Sequence, residues 1–270
     1  MKLFLDSADI NEITQVNSYG VLDGLTTNPS LIKKAVEKYS SSNFSMESYI
    51  LRILKEVPNV PVSLEVTALS YKEMLHQAKT LYSKFNKISG NVFVKIPINT
   101  SFDINKPSTD SIKLIKRLSH LNIPVNCTLV FTPEQALLAA KAGAKFVSPF
   151  SGRIDDFIRT KNKIKFNKDE YFPQQGLIQK NKVLHDNGIL SGVDLIEKIS
   201  AILKIHSLET EVLAASLRNT RQVREVALAG ADIATIPFDV FPELLSHEKT
   251  VEGVKNFTKD VVKEYSELLK

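Results

Sequence analysis

Eight short apolar runs, each followed by a helical pattern, constrain this chain more than any single residue does. They cover residues 2–6, 24–28, 62–67, 92–96, 124–129, 146–150, 212–216 and 234–237. A strand–helix–strand rhythm implies parallel strands, because each helix carries the chain back to the starting end of the sheet. Eight such units predict an α/β fold closed into a (β/α)8 TIM barrel. A doubly wound open sheet is the alternative, but no Gly-x-Gly-x-x-Gly follows the first run. With 270 residues, 43% hydrophobic, the chain can bury a core of that size in one domain spanning 1–270.

The helices are punctuated. Thr132-Pro133-Glu134-Gln135 offers an N-cap, a proline at the first helical position and a capping glutamine, and Gly143 ends that helix. Asn219-Thr220-Arg221-Gln222 and Ser70-Tyr71-Lys72-Glu73 repeat the opening, and Gly230 closes the first of these. Residues 243–270 read as a terminal helical segment. Residues 157–190 break the rhythm: they are polar, lysine-rich and weakly periodic, and read as an inserted loop with short structure of its own.

Charge and cysteine usage narrow the setting. Arg159, Lys161, Lys163, Lys165, Lys168, Lys180 and Lys182 outnumber Asp169 and Glu170 by five, which is the whole net charge of +5. That concentration reads as a solvated loop. No basic–aromatic interleaving of the kind that stacks bases stands out, so no nucleic-acid partner is expected. Cys127 is the only cysteine, which excludes an internal disulfide and fits a reducing compartment. Asp6 comes too early for a secretory signal, and no apolar run reaches bilayer length. The expectation is a soluble cytosolic protein without a membrane partner. The five histidines are scattered without metal-ligand spacing, so no metal is expected.

Strand side chains alternate between two faces. A parallel strand is normally apolar on both, so its polar exceptions carry information. In residues 62–67, Ser63, Glu65 and Thr67 share a face. In 125–129, Asn126 and Thr128 oppose Val125, Cys127 and Leu129. Phe4 aligns with Asp6, Ser148 with Phe150, and Ala214 with Ser216 and Arg218. Cys127 therefore reads as outward packing. Asp6, Asn28, Glu65, Lys95, Asn126, Thr128, Ser148 and Ser216 cluster toward the C-terminal ends of their strands, where a barrel builds its active site. Each has a plainer role open to it: Asp6 and Asn28 as cap or turn residues, Thr128 as a β-former.

Lys95 stands apart, set between Val94 and Ile96 in an apolar strand. Burial disfavours a charged ammonium, and a neutral amine can form a Schiff base with a carbonyl substrate. A strand-end lysine that snorkels to water is the alternative. Arg153 and Arg218 follow the sixth and seventh strands, where arginines can pair with phosphate or form surface ion pairs.

Taken in order, these segments resemble the transaldolase family. The carriers are Leu5-Asp6-Ser7-Ala8-Asp9, Asp23-Gly24-Leu25-Thr26-Thr27-Asn28-Pro29-Ser30-Leu31, Val94-Lys95-Ile96-Pro97, Asn126-Cys127-Thr128-Leu129-Val130-Phe131, Ser148-Pro149-Phe150-Ser151-Gly152-Arg153-Ile154 and Ala215-Ser216-Leu217-Arg218-Asn219. Leu217 departs from a common phenylalanine, and Asn99 from a usual threonine or serine. The resemblance implies Lys95 as Schiff-base lysine and Asp6 as acid/base on the substrate C4 hydroxyl. It implies a catalytic water held by Glu65 and Thr128. Asn28 and Asn126 would hydrogen-bond the covalent intermediate, with Ser148 nearby on the substrate, and Arg153, Ser216 and Arg218 would grip the phosphate. It implies sugar-phosphate substrates, no cofactor, and leaves a homo-oligomer possible. The related fructose-6-phosphate aldolases typically carry glutamine and tyrosine where this chain has Glu65 and Phe150, so those two residues favour the transferase. A barrel that binds sugar phosphate without catalysis is the remaining alternative.

Overall fold

The structure, a computed structural model, describes residues 1–39 and 45–270. Its strands in chain order are β1 (Lys2–Asp6), β2 (Gly24–Thr26), β3 (Val62–Glu65), β4 (Val92–Pro97), β5 (Val125–Val130), β6 (Phe146–Pro149), β7 (Ile178–Gln179), β8 (Lys182–Val183), β9 (Glu211–Ala214) and β10 (Ile233–Ile236). All but β7 and β8 form a closed barrel in the order β1-β2-β3-β4-β5-β6-β9-β10, with β10 returning to β1. Every pair in it is parallel. The expected (β/α)8 barrel is therefore present, and each of the eight apolar runs supplies one strand.

The pleat sorts each strand into two faces. Outward residues such as Leu5, Leu25, Val94, Ile96, Cys127, Val147 and Ala234 join Ile13, Ile53, Met74, Leu114, Ile154 and Ile196 of the surrounding helices in one core. Full burial of one such aliphatic side chain contributes about 1.5–3 kcal/mol. Cys127 lies outward as expected. Inward, Phe4, Phe146, Leu213, Ala215 and Ile233 plug the barrel beneath its mouth, with Phe93 and Phe150 against them. Phe93 stacks on Phe146 at 4.6 Å, and Phe4 meets Phe146 edge-on at 6.0 Å. The Phe4 ring needs the glycine of β2: a Cβ on Gly24 would sit 2.3 Å from it.

The expected caps form. Thr132, Asn219 and Ser70 accept from the backbone N–H groups of Gln135, Gln222 and Glu73. Gly143 and Gly230 take the left-handed φ values of 97° and 89° that close their helices. Gln135 and Gln222 reach one residue further back than a capping box requires, accepting from Phe131 N and Arg218 N. Helices Glu248–Lys259 and Lys263–Leu268 end the chain. Among the described residues no helix is long and apolar enough to cross a membrane.

The 157–190 segment is less loop-like than its composition suggests. Its first residues belong to helix Ser151–Lys161, so the insertion proper runs from 162 to the start of helix Gly192–Ile205. It contains the β7–β8 hairpin and buries Phe172, Leu184 and Ile189. Arg159 is not part of a solvated charge run. It is 2% exposed, lies between the Phe166 and Phe172 rings at 4.9 Å from each centroid, and donates to Glu170 O and Tyr171 O. Arg218 donates to Lys168 O and Asn219 to Asp169 O. Four consecutive backbone carbonyls of the insertion are thus held by three barrel side chains. The remaining cations of the run, Lys161 through Lys182, are exposed.

Candidate active site

Register builds the site. Glu65 pairs with Lys95 across β3–β4, and Lys95 with Asn126 across β4–β5, so three inward polar groups stand side by side in one layer. Lys95 is 4% exposed. Its Nζ donates to Thr27 O at 3.0 Å and lies 3.3 Å from Glu65 Oε2. The lysine does not snorkel: its amine ends inside the barrel.

Asn126 is held from both sides. Its Nδ2 donates to Ser63 Oγ at 3.1 Å, and its Oδ1 accepts from Ser148 Oγ at 2.6 Å. All three are buried, so the amide is fixed in one orientation. Thr128 Oγ1 is fully buried and finds no hydrogen-bond partner among the described residues. A buried hydroxyl in that state marks a place for a water or a substrate oxygen.

Above the phenylalanine floor lies a recess of about 90 Å³, lined by Asp6, Thr26, Asn28, Lys95, Ser148, Phe150, Arg153, Leu213, Ala215, Ser216 and Thr235. Seven of the eleven predicted residues meet there. Glu65 and Asn126 touch it through Lys95 and Ser148. Asp6 receives a hydrogen bond from Thr26 at 2.7 Å. Burial pushes its carboxyl above the ordinary range, against the opposing pull of Lys95, Thr26 and Arg153. Asn28 also caps its helix, accepting from Leu31 N. The turn role and the site role thus coexist. Arg153 stacks on the Phe150 ring at 4.8 Å.

Two placements differ from the alternation of the sequence. On β9 the inward set is Leu213 and Ala215, while Ala214 and Leu217 face the helices. Ser216 reaches the recess because its backbone is left-handed, φ 62°, not because it shares a face with Ala214. Arg218 does not line the recess. Its guanidinium forms two hydrogen bonds with Asp156, at 2.6 and 2.5 Å, and a third with Lys168 O at 2.8 Å. Among the described residues its Nε–H and one Nη2–H make no hydrogen bond. A bulge at Leu129, φ 57°, shifts the β5–β6 register just beyond Thr128. Sequence reasoning did not single out Thr26, Ser63 or Thr235 for the site. The signal was weak: a small hydroxyl residue on the polar face of an otherwise apolar strand.

A wider groove at the starting ends of β9 and β10, reaching Glu211 and Asp232, contains none of these groups. A lysine amine, two carboxylates and an oriented amide inside one barrel mouth can support imine formation and proton transfer at a carbonyl substrate.

Known proteins place the chain in a family. The Transaldolase/Fructose-6-phosphate aldolase family model matches residues 3–269. A protein of Chlorobium phaeobacteroides (strain BS1), named "Probable transaldolase", is 41% identical over 263 residues, covering 96% of this chain and 97% of that protein. Proteins of the same name from Chlorobaculum parvum and Alkaliphilus metalliredigens are 39% and 36% identical, over 96% of this chain and 97% of each. The chain belongs to the transaldolase/fructose-6-phosphate aldolase family.

Proposed function

We propose that this protein is a transaldolase, moving a dihydroxyacetone unit between sugar phosphates through a Schiff base on Lys95. The observation that carries the reading is the Lys95 amine inside the barrel, 3.3 Å from Glu65 and on the same recess as Asp6. Lys95 attacks the C2 carbonyl of a ketose phosphate, and water leaves. Asp6 takes the C4 hydroxyl proton, the C3–C4 bond breaks, and its electron pair passes into the protonated imine to give an enamine. An aldose phosphate departs. The enamine then adds to a second aldose phosphate, Asp6 returns the proton to the new hydroxyl, and water hydrolyses the imine.

Glu65 serves that water, and the unpartnered Thr128 hydroxyl supports a position for it. Asn126, Ser148 and Asn28 hold the C1–C3 end. Arg153, Ser216 and the free edge of Arg218 receive the phosphate, the first two from the recess wall. The exchange proposed is sedoheptulose 7-phosphate and glyceraldehyde 3-phosphate with erythrose 4-phosphate and fructose 6-phosphate. That reaction belongs to the cytoplasmic pentose phosphate pathway and uses no cofactor.

Phe150 favours exchange over release. A hydroxyl at that position could protonate the enamine and free dihydroxyacetone, and a phenylalanine has none. The test is product formation from fructose 6-phosphate with and without erythrose 4-phosphate. Turnover that requires the acceptor supports the transferase, while steady dihydroxyacetone release without it makes the protein an aldolase. Borohydride in the presence of substrate must fix label on Lys95, and Lys95→Ala must abolish both labelling and exchange. A barrel that only binds would fix none.

A further inference from the structure

Asp6 stands at the end of a chain of two buried hydroxyls. Thr26 Oγ1 donates to Asp6 Oδ1 at 2.7 Å, and the Thr26 and Thr235 hydroxyl oxygens lie 2.6 Å apart. Both threonines are 2% exposed. The two arrive from opposite sides, since β1 pairs with β2 through Asp6 and Thr26 and with β10 through Phe4 and Thr235. The direction of the chain is fixed by proton count. An ionised carboxylate only accepts, and a hydroxyl has one proton to give. Thr26, having given its proton to Asp6, can only accept from Thr235. Among the described residues no hydrogen bond reaches Asp6 Oδ2, which leaves that oxygen for a substrate.

We infer that Thr235 and Thr26 are positioning residues that act through Asp6, turning its carboxylate so that Oδ2 meets the substrate hydroxyl and keeping it a proton acceptor. The inference rests on the reading of Asp6 as the acid/base. Two successive hydroxyls polarise each other, so the second link strengthens the first. The need for such a device follows from the setting. Burial works against an ionised Asp6, and the charges that favour ionisation are Lys95 from β4 and Arg153 from helix Ser151–Lys161. On the other side of Asp6, a second recess of about 400 Å³ carries Asp9, Glu12, Lys34, Lys38 and Asp239. Of these, Asp9 is tied to Lys38 and Tyr39, and Glu12 accepts from Ser7. The hydroxyl pair supplies stabilisation of the carboxylate without adding another charge to the mouth.

The experiment is the pH dependence of kcat/KM for the whole enzyme and for Thr26→Val, Thr235→Val, Thr235→Ser and Asp6→Asn. Losing a hydrogen bond to a charged acceptor should move the acidic limb upward by roughly one pH unit in Thr26→Val. Thr235→Val should move it in the same direction by less, and Thr235→Ser should restore it. Valine copies the shape of threonine, and thermal melts check each fold. Should Thr235→Val melt early, Thr235→Ala, equally unable to donate, must show the same displacement. An acidic limb that persists unchanged in the residual activity of Asp6→Asn shows that Asp6 is not the group being titrated, and the reading beneath the inference fails. A limb that vanishes in Asp6→Asn but stays in place in the Thr26 and Thr235 variants overturns the inference alone.

Discussion

A single methyl group at Gly152 should damage both stability and catalysis. Gly152 opens helix Ser151–Lys161 under the rim of the recess. A Cβ there would lie 2.3 Å from Ser216 O, 2.9 Å from Arg218 Nε and 3.2 Å from Arg218 Cζ. Arg218 is pinned by Asp156 and cannot swing away cheaply. Ser216 O belongs to the backbone and accepts the Gly152 N–H at 3.2 Å. To restore an ordinary contact the left-handed turn at Ser216 must retreat by about 1 Å, and overpacking of this kind costs roughly 1–3 kcal/mol. A chain of 270 residues gains about 0.6 kcal/mol per kelvin of entropy at its midpoint, so Gly152→Ala should lower Tm by about 2–5 °C. Under the phosphate-binding role proposed for Ser216, a displacement of about 1 Å costs on the order of 10²-fold in kcat/KM. The assay pairs thermal denaturation by circular dichroism with steady-state exchange kinetics. Gly253→Ala is the control: it lies mid-helix with nothing within 4 Å, and should keep or raise Tm while leaving kinetics unchanged. If Gly152→Ala matches the wild type in both Tm and kcat/KM, the close packing of the Ser216 turn on this helix is refuted.

Arg159→Met removes the two hydrogen bonds to Glu170 O and Tyr171 O and should cost about 3 kcal/mol. Trypsin should then cut faster at Lys163, Lys165 and Lys168, and unchanged digestion would show that the insertion is anchored elsewhere. Burial pushes the Asp155 carboxyl up to about 7, opposed by the Gly192 N–H and by Arg159 and Arg218. The folded protein therefore holds this proton where the unfolded chain has released it. The associated stability is complete below the unfolded value of about 4 and lost as pH rises through about 7. Between about pH 6 and 8.5 the wild-type Tm should fall by more than that of Asp155→Asn, as read by parallel melts. Equal slopes would contradict it. Phe146→Ala should open a void beneath the recess, between the Phe4 and Phe93 rings, and cost about 3–5 kcal/mol. A Tm within a degree of wild type would argue against a packed floor.

The barrel is legible in the sequence because each strand is a short apolar run closed by turn chemistry, and three helix starts carry their caps. The pocket is legible where alternation holds, as for Asp6, Lys95, Asn126 and Ser148. Alternation fails where the backbone leaves the period of two. Ser216 enters the recess through its left-handed φ, which alternation cannot encode, and the inward phase of β9 is misassigned with it. Arg159 reads as one more cation in a basic run. Its burial depends on Phe166 and Phe172, seven and thirteen residues on, with no periodicity to announce the contact. The pairing of Arg218 with Asp156, across 62 residues, is equally non-local. Thr26 and Thr235 are hidden for another reason: threonine is an ordinary β-former, and only a 2.6 Å approach between the two strands that flank β1 distinguishes them.

The four carbonyls from Lys168 to Tyr171 are gripped through the main chain, which every residue type supplies alike. The Lys168 and Asp169 side chains are exposed, and neither makes the bonds that anchor this stretch. Position there is decoupled from identity. Beside its mouth the barrel carries a mount that is mechanically fixed and chemically uncommitted. Drift or directed randomisation at those two sites can rewrite the charge beside that mouth without asking the fold to change.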